Sequence, residues 1–199
     1  MSGKREANRE QLHDKLLNAA TLRVEGGGLK DLNARTLTSD AGCALGSLYT
    51  AFSDIDDLII HMNSRTLKRL GEAIEAAGQG VDDPIDRLKA LAKGYLRFAA
   101  DNHALWVALF DYAALAGTVI PQWHQEEQEV LVRHIVGPVS ALNPDMDNDA
   151  MMIRVRTLFS AVHGIVSLSL DQRFIGVPQD QLETELIGFI DQMVAGLGG

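Results

Sequence analysis

The side chains of this 199-residue chain that could ligate a metal or attack a substrate are six histidines, its carboxylates and one thiol. His124 and Glu127 stand three apart on an expected helix with His134 further on, a spacing that could present two ligands on one face. No His-Glu-x-x-His run accompanies them, and the polar stretch 125–129 reads better as a hydrated helix face. Cys43 is the only cysteine, so no intramolecular disulfide forms, and without a motif around it a small apolar residue in a reducing cytoplasm is the expectation. Gly26, Gly27 and Gly28 follow a helix instead of a strand, which argues against a phosphate loop, and no serine nucleophile elbow occurs. These residues lead away from an enzyme, a bound metal and a cofactor.

Charge points elsewhere. The chain carries 18 Lys/Arg and 27 Asp/Glu, a net charge of −9, but the two signs are unevenly spread. Residues 1–70 hold 10 basic and 9 acidic side chains, whereas residues 71–199 hold 8 and 18. A near-neutral first third and an acidic remainder suggest two jobs: a domain over 1–70 and another over 71–199. No stretch of about 18 uninterrupted apolar residues occurs, and the opening Met-Ser-Gly-Lys-Arg-Glu lacks an apolar run after its charges. The expectation is a cytoplasmic protein with no membrane partner.

The elements that position the side chains read as helices throughout, since apolar residues recur every three to four positions and no alternating strand pattern is found. The spacing predicts about nine. The first starts near Asn8, with Gln11 reaching back, and buries Leu12, Leu16, Leu17, Ala20 and Val24 before the glycine run ends it. Asn33 is the N-cap of the next, with Leu32 and Leu37 at the spacing of a hydrophobic staple. Ala41-Gly42-Cys43 interrupts it, Gly42 supplying a positive φ, and a short helix runs through Leu45, Leu48 and Tyr49 to Phe52. Ser53, with Asp56 in a capping box, starts a longer helix carrying Leu58, Ile59, Met62, Leu70 and Ile74. Pro84 opens a helix through Leu88, Tyr95, Leu96 and Ala99, and another holds Leu105, Trp106, Leu109 and Phe110. One from about Pro121 to Ile135 should stop at Gly137-Pro138. The last two span about Asn148–Phe174 and a stretch after Pro178 with Leu182, Leu186, Phe189, Ile190, Met193 and Leu197 on one stripe.

Two short helices with an Ala-Gly turn, braced by a longer helix on each side, are what a helix-turn-helix needs for its second helix to enter a major groove, although many helical proteins contain a tight turn. Residues 33–52, from Asn33 through Ala41-Gly42-Cys43 and Gly46-Ser47-Leu48-Tyr49 to Phe52, resemble the DNA-binding signature of TetR-family transcriptional regulators. The resemblance is close over about 60 residues. Further on, 95–99, 106–110 and Val162-His163-Gly164 are similar to a subgroup named for a Trp-His-Gly triplet, with Val162 at the Trp position.

The resemblance implies an all-α regulator: an N-terminal three-helix DNA-binding domain and a C-terminal helical domain for ligand binding and dimerisation. Asn33, Arg35 and Thr36 would lie at the start of the supporting helix, where Arg35 and Thr36 reach backbone or a base edge. Ala44, Leu45, Gly46, Ser47, Tyr49 and Thr50 would form the DNA-facing part of the recognition helix, with Tyr49 donating to a phosphate and Ser47 and Thr50 meeting base edges. Gly46 would let the helix start approach the DNA backbone. Tyr49 as a half-buried core aromatic is the competing reading, and Leu48 reads as core. Three positions depart from relatives: Ala44 where Ser or Thr is usual, Ala51 where His is frequent, and Ile55 where Lys is usual. Only the lysine counts as an ionic contact, so the loss in salt slope is about 0.9 log units. Lys4, Arg5, Arg9 and Arg35 could compensate.

The resemblance also implies a homodimer on a pseudo-palindromic double-stranded operator, joined through a four-helix bundle of the last two helices from each chain. The interface candidates are Phe159, Val162, Val166, Leu182, Leu186, Phe189, Ile190 and Met193. A small, largely apolar effector would bind among the middle helices, with Met62, Tyr95, Phe98, Trp106, Phe110, Trp123 and His163 as candidate walls and anchors. An ordinary aromatic core competes with that reading. The helix from Ser53 to Ala77 would carry the effector's influence to the recognition helix. A scaffold that has lost DNA binding is the alternative function.

Overall fold

The computed structural model describes residues 2–116 and 119–196, apart from the side chains of residues 2, 4, 5, 111 and 113–116. Lys4, Arg5 and Leu197, singled out above, therefore lie outside the described side chains or residues. Among the described residues the chain forms ten α-helices, one 3-10 turn and no strand. It packs into two compact units, Met1–Lys68 with Asn102–Gln125 and Arg69–Asp101 with Glu126–Gly199. The first break falls between Lys68 and Arg69, and 102–125 joins the first unit.

The first unit holds α1 (Ser2–Gly27), the 3-10 turn (Leu29–Asp31), α2 (Ala34–Asp40), α3 (Leu45–Ala51), the first part of α4 (Ile55–Gly78), α6 (His103–Ala116) and the start of α7 (Gln122–Gln128). α1 begins at Ser2 and not near Asn8, because Lys4 to Arg9 is mostly good helix formers and continues the helix outward. Gly28, at φ 77°, ends it. The α2–α3 turn follows the expected chemistry: Asn33 Oδ1 accepts from the Thr36 N–H at 3.0 Å, and Gly42 takes φ 64°, a left-handed conformation that any side chain would strain. Leu37 and Leu48 are wholly buried with Leu16, Leu17, Ala20, Val24 and Met62. α6 enters this core through Leu105, Ala108 and Tyr112, which is why 102–125 belongs to the first unit.

The cap of α4 lies one residue later than expected. Asp54 accepts from the Asp57 N–H at 2.8 Å while Asp57 accepts from the Ser53 N–H at 2.9 Å. Asp56, expected in that role, accepts instead from the Tyr112 hydroxyl at 2.5 Å, and the Asn63 amide donates to the Ala108 carbonyl at 3.0 Å, so α4 is tied twice to α6.

The second unit combines the rest of α4 with α5 (Pro84–Asp101), α8 (Val130–Leu142), α9 (Asn148–Leu170) and α10 (Leu182–Ala195). Asp83 caps α5 by accepting from the Ile85 and Asp86 N–H groups, both at 2.9 Å. A Cβ on Gly94 would sit 2.6 Å from the Ala77 Cβ, so glycine is what lets α5 lie this close to the end of α4. Lys89 pairs with Asp191 at 2.6 Å and Lys93 with Glu183 at 3.1 Å, linking α5 to α10.

Three helix limits depart from the sequence reading. The single helix expected over Pro121–Ile135 is two, α7 and α8, and α8 runs on through Gly137-Pro138 to Leu142. Pro138 forfeits one backbone bond in the last turns, but it and Val139 are buried, and that packing offsets the loss. α9 ends at Leu170 instead of near Phe174: Gln172 takes φ 53°, the Arg173 N–H donates to the Leu168 carbonyl, and the Val177 N–H donates to the Ser169 hydroxyl at 3.0 Å. Phe174 is left fully exposed on the connecting loop. Among the described residues α9 is the one helix long and apolar enough to cross a membrane by length and composition. Its buried positions Met151, Val155, Leu158, Val162 and Val166 instead follow the three-to-four spacing of a helix facing a protein core, and it carries Arg154 and Arg156.

Candidate DNA interface and apolar cavity

α3 is anchored from below and open above. Leu48 is wholly buried and Phe52 nearly so, fixing one face in the core of the first unit. The opposite face is exposed: Tyr49 keeps 58% of its surface and Leu45 44%, with Ala44, Gly46 and Thr50 also exposed and Ser47 half-buried. Tyr49 is therefore not a core aromatic. A Cβ on Gly46 would meet nothing within 4 Å, so packing inside the chain does not require glycine there.

The hydrogen-bonding inventory narrows what each polar residue can offer. The Thr50 hydroxyl donates to the Gly46 carbonyl at 3.1 Å and the Thr36 hydroxyl to the Asn33 carbonyl at 3.0 Å, which leaves both oxygens as acceptors for a base amino group. Asn33 Oδ1 is held in its cap. The Arg35 side chain is exposed at the start of α2. Of the three departures, Ala44 is an exposed N-cap that makes no side-chain cap bond, while Ala51 and Ile55 pack against the core of the unit. The Arg23 guanidinium forks onto Asp40 at 2.5 and 3.0 Å, bracing α1 against the end of α2. That pairing holds the Asp40 carboxyl below the usual range and raises the Arg23 guanidinium. Both groups are exposed, so the pair fixes geometry more than it stabilises the fold.

In the second unit an apolar cavity is lined by side chains from α4, α5, α8, α9 and α10, among them Ile74, Leu91, Ile135, Leu158 and Phe159. About 30 Å³ of it is open to the centre of a water-sized sphere. Tyr95 is the lining residue that carries a polar side-chain atom, and its hydroxyl is 2.7 Å from His163 Nδ1. Tyr95 also meets Phe159 edge-to-face at 5.8 Å, and Phe159 stacks on His163 at 5.9 Å.

Comparison with known proteins decides the family. Residues 88–194, more than half of the chain, match the family model described as Tetracyclin repressor-like, C-terminal domain. The chain belongs to the TetR family. The fold is shared with solved structures at low identity. A protein with unknown function from Rhodococcus sp. RHA1 is 23% identical with a TM-score of 0.76, over 94% of this chain and 96% of that one. A TetR-like transcriptional regulator from the same source is 18% identical with a TM-score of 0.65, over 94% and 96%. A TetR family transcription regulator from Marinobacter aquaeolei VT8 is 14% identical with a TM-score of 0.67, over 94% and 97%. No curated protein matches the chain.

In this TetR-family chain the expected effector residues are divided. Tyr95 and His163 meet at the cavity. Phe98 is buried in the same unit, with the Arg69 guanidinium 5.9 Å from its ring. Met62 is a core side chain of the first unit, and Trp106 is buried and belongs to that unit with Phe110, whose ring lies 5.4 Å from it. Trp123 stacks on His61, also in the first unit. The interface candidates are divided as well. Leu186 is 0% exposed, Val166 0%, Ile190 1% and Leu182 2%, so these four have no surface left to bury against a second chain. Val162 is buried too, and Val162, Ile190 and Phe159 line the cavity. Phe159, Phe189 and Met193 retain partial exposure.

Sequence reasoning missed a ring cluster beneath α3. His13 stacks on Phe52 at 4.5 Å, His61 approaches His13 at 5.4 Å and Phe52 at 5.7 Å, and Trp123 stacks on His61 at 4.9 Å. Asp57 lies 3.5 Å from His61 Nε2 and Asp14 4.0 Å from His13 Nδ1, while Arg65 bonds to Asp14 and Asn18. Burial, then His61 and Arg65, push the His13 imidazole below its usual value, against Asp14 and Asp57. The unfolded chain thus binds the proton more readily than the folded one. This contribution to stability is full above about pH 6.5 and is lost as the pH falls through that value toward the lower folded one. Tm is expected to drop between pH 7.5 and 5.5, and His13→Gln to shrink that drop; an equal drop in the variant would remove His13 from the account.

Proposed function

We propose that this TetR-family protein is a transcriptional regulator that binds a pseudo-palindromic DNA operator as a homodimer and represses until a small apolar effector fills the cavity of the second unit. The observation that carries the reading is the exposed α3 face, with Leu45, Gly46, Tyr49 and Thr50 exposed and Ser47 half-buried beside the exposed Arg35, while Leu48 and Phe52 are buried. An exposed aromatic with a hydroxyl tip, two small polar residues and a guanidinium suit phosphate and base-edge contact. The half-exposed Phe159, Phe189 and Met193 are the part of the expected interface still available to a mate. α4 contributes to both units and is the covalent route by which the effector's preference reaches α3, on the usual coupling scale of about 1–3 kcal/mol. The protein acts in the cytoplasm and its role is binding, without catalysis or a resident cofactor.

Ala44 favours a second reading, a helical dimer that keeps the scaffold without reading DNA, since it offers a phosphate no hydroxyl. Retention on a nonspecific DNA column separates the two. The regulator is held at low salt and released by higher salt, and Arg35→Ala elutes earlier. Complete flow-through at low salt supports the scaffold.

A further inference from the structure

We propose that the cavity of the second unit takes an uncharged aliphatic ligand with a single hydrogen-bonding end, received by the Tyr95–His163 pair. This rests on the reading of that cavity as the effector site and supplies the chemistry that reading leaves open.

Charge is decided by the lining. Leu, Ile, Val, Ala and Phe side chains make up all of it except Tyr95, and none is ionisable at neutral pH. An ion placed against these walls would lose its hydration with no opposite charge on them to replace it, which disfavours cations and carboxylates alike, and the nearby His163 imidazole is already engaged by the Tyr95 hydroxyl. The net charge of −9 attracts a cation from a distance but does not change this local balance. On α10, moreover, Asp191 and Glu183 are already paired with Lys89 and Lys93.

The polar end follows from the pair. When His163 Nδ1 accepts the Tyr95 proton, the phenol oxygen offers lone pairs to a ligand hydroxyl. When Nδ1 carries the proton and donates to the phenol oxygen, the Tyr95 hydroxyl can turn toward a carbonyl. Either neutral tautomer thus serves one oxygen-bearing group. Shape follows from the space. Ligand sites usually run to about 300–1,000 Å³, and the roughly 30 Å³ present here must grow by side-chain rotation. Leu and Ile rotamers yield to a slender flexible chain, whereas rigid fused rings would require the helices to move.

The test is calorimetric titration of the full chain with 1-octanol, octanoate, octylammonium and 1-naphthol, with operator or nonspecific DNA retention measured in parallel. Saturable binding of 1-octanol is expected, with the two ions and 1-naphthol at least tenfold weaker. Tyr95→Phe should weaken 1-octanol about two- to tenfold with unchanged circular dichroism. Equal or tighter binding of either ion or of 1-naphthol overturns the ligand class while keeping the cavity as a site. Unchanged 1-octanol affinity in Tyr95→Phe overturns the assigned polar end. No heat with any probe overturns the cavity as a ligand site, and the DNA measurement then shows whether the regulator reading survives without it.

Discussion

Leu186→Glu is expected to abolish cooperative folding of the second unit, where a simple interface residue would give a folded monomer. Leu186 is 0% exposed within a single chain, on the face of α10 that also buries Leu182, Ile190 and Val194. Truncation to alanine there costs about 2–5 kcal/mol. A carboxyl adds the cost of burying its charge or of taking up a proton there, and the sum consumes a margin in the lower part of the typical range of about 5–15 kcal/mol. Phe189→Glu is the informative contrast, because Phe189 is only partly buried. It should leave the circular dichroism spectrum intact and shift light scattering toward the monomer mass. A well-folded Leu186→Glu monomer would mean that α10 is packed differently. A persistent dimer in Phe189→Glu would place the interface elsewhere on the second unit.

The second large effect concerns α2 and α3. Arg35→Ala is expected to weaken operator binding by about 1–3 kcal/mol, five- to 150-fold, and Tyr49→Phe by about 0.5–1.5 kcal/mol. Neither should change Tm appreciably, because both side chains are exposed and outside the core. The salt dependence divides the roles. If Arg35 meets a phosphate, the slope of log affinity against log salt falls by about 0.9 in Arg35→Ala; if it meets a base edge, the loss depends on operator sequence instead. Unchanged affinity in both variants would remove this face from DNA recognition.

What could be read from the sequence was mostly local. The Asn33 cap, the positive φ at Gly42 and the inward Leu48 depend on neighbours a few residues away, and they stand where their spacing puts them. The break between α7 and α8 had no such sign, since neither glycine nor proline stands at Glu129. An apolar stripe reports that a face is buried but not against what. The Leu182–Leu186–Ile190 stripe reads as an interface ahead of intramolecular core alone, because one face can serve both uses, and within the single chain it is buried. Cavity walls such as Ile74 and Leu88 read as ordinary apolar helix faces, because a cavity is a property of how helices meet. The His13, Phe52, His61 and Trp123 cluster joins residues up to 110 positions apart, which no periodicity reports.

The central claim, that the outward face of α3 reads DNA, is tested most directly by incubating the purified full chain at low salt with a random duplex library and sequencing the bound fragments. The account predicts an enriched pseudo-palindrome with half-sites about 34–36 Å apart or a multiple of it, lost when Arg35→Ala and Tyr49→Phe are combined. A folded dimer that enriches nothing, or enriches the same sequence with both substitutions in place, would contradict it.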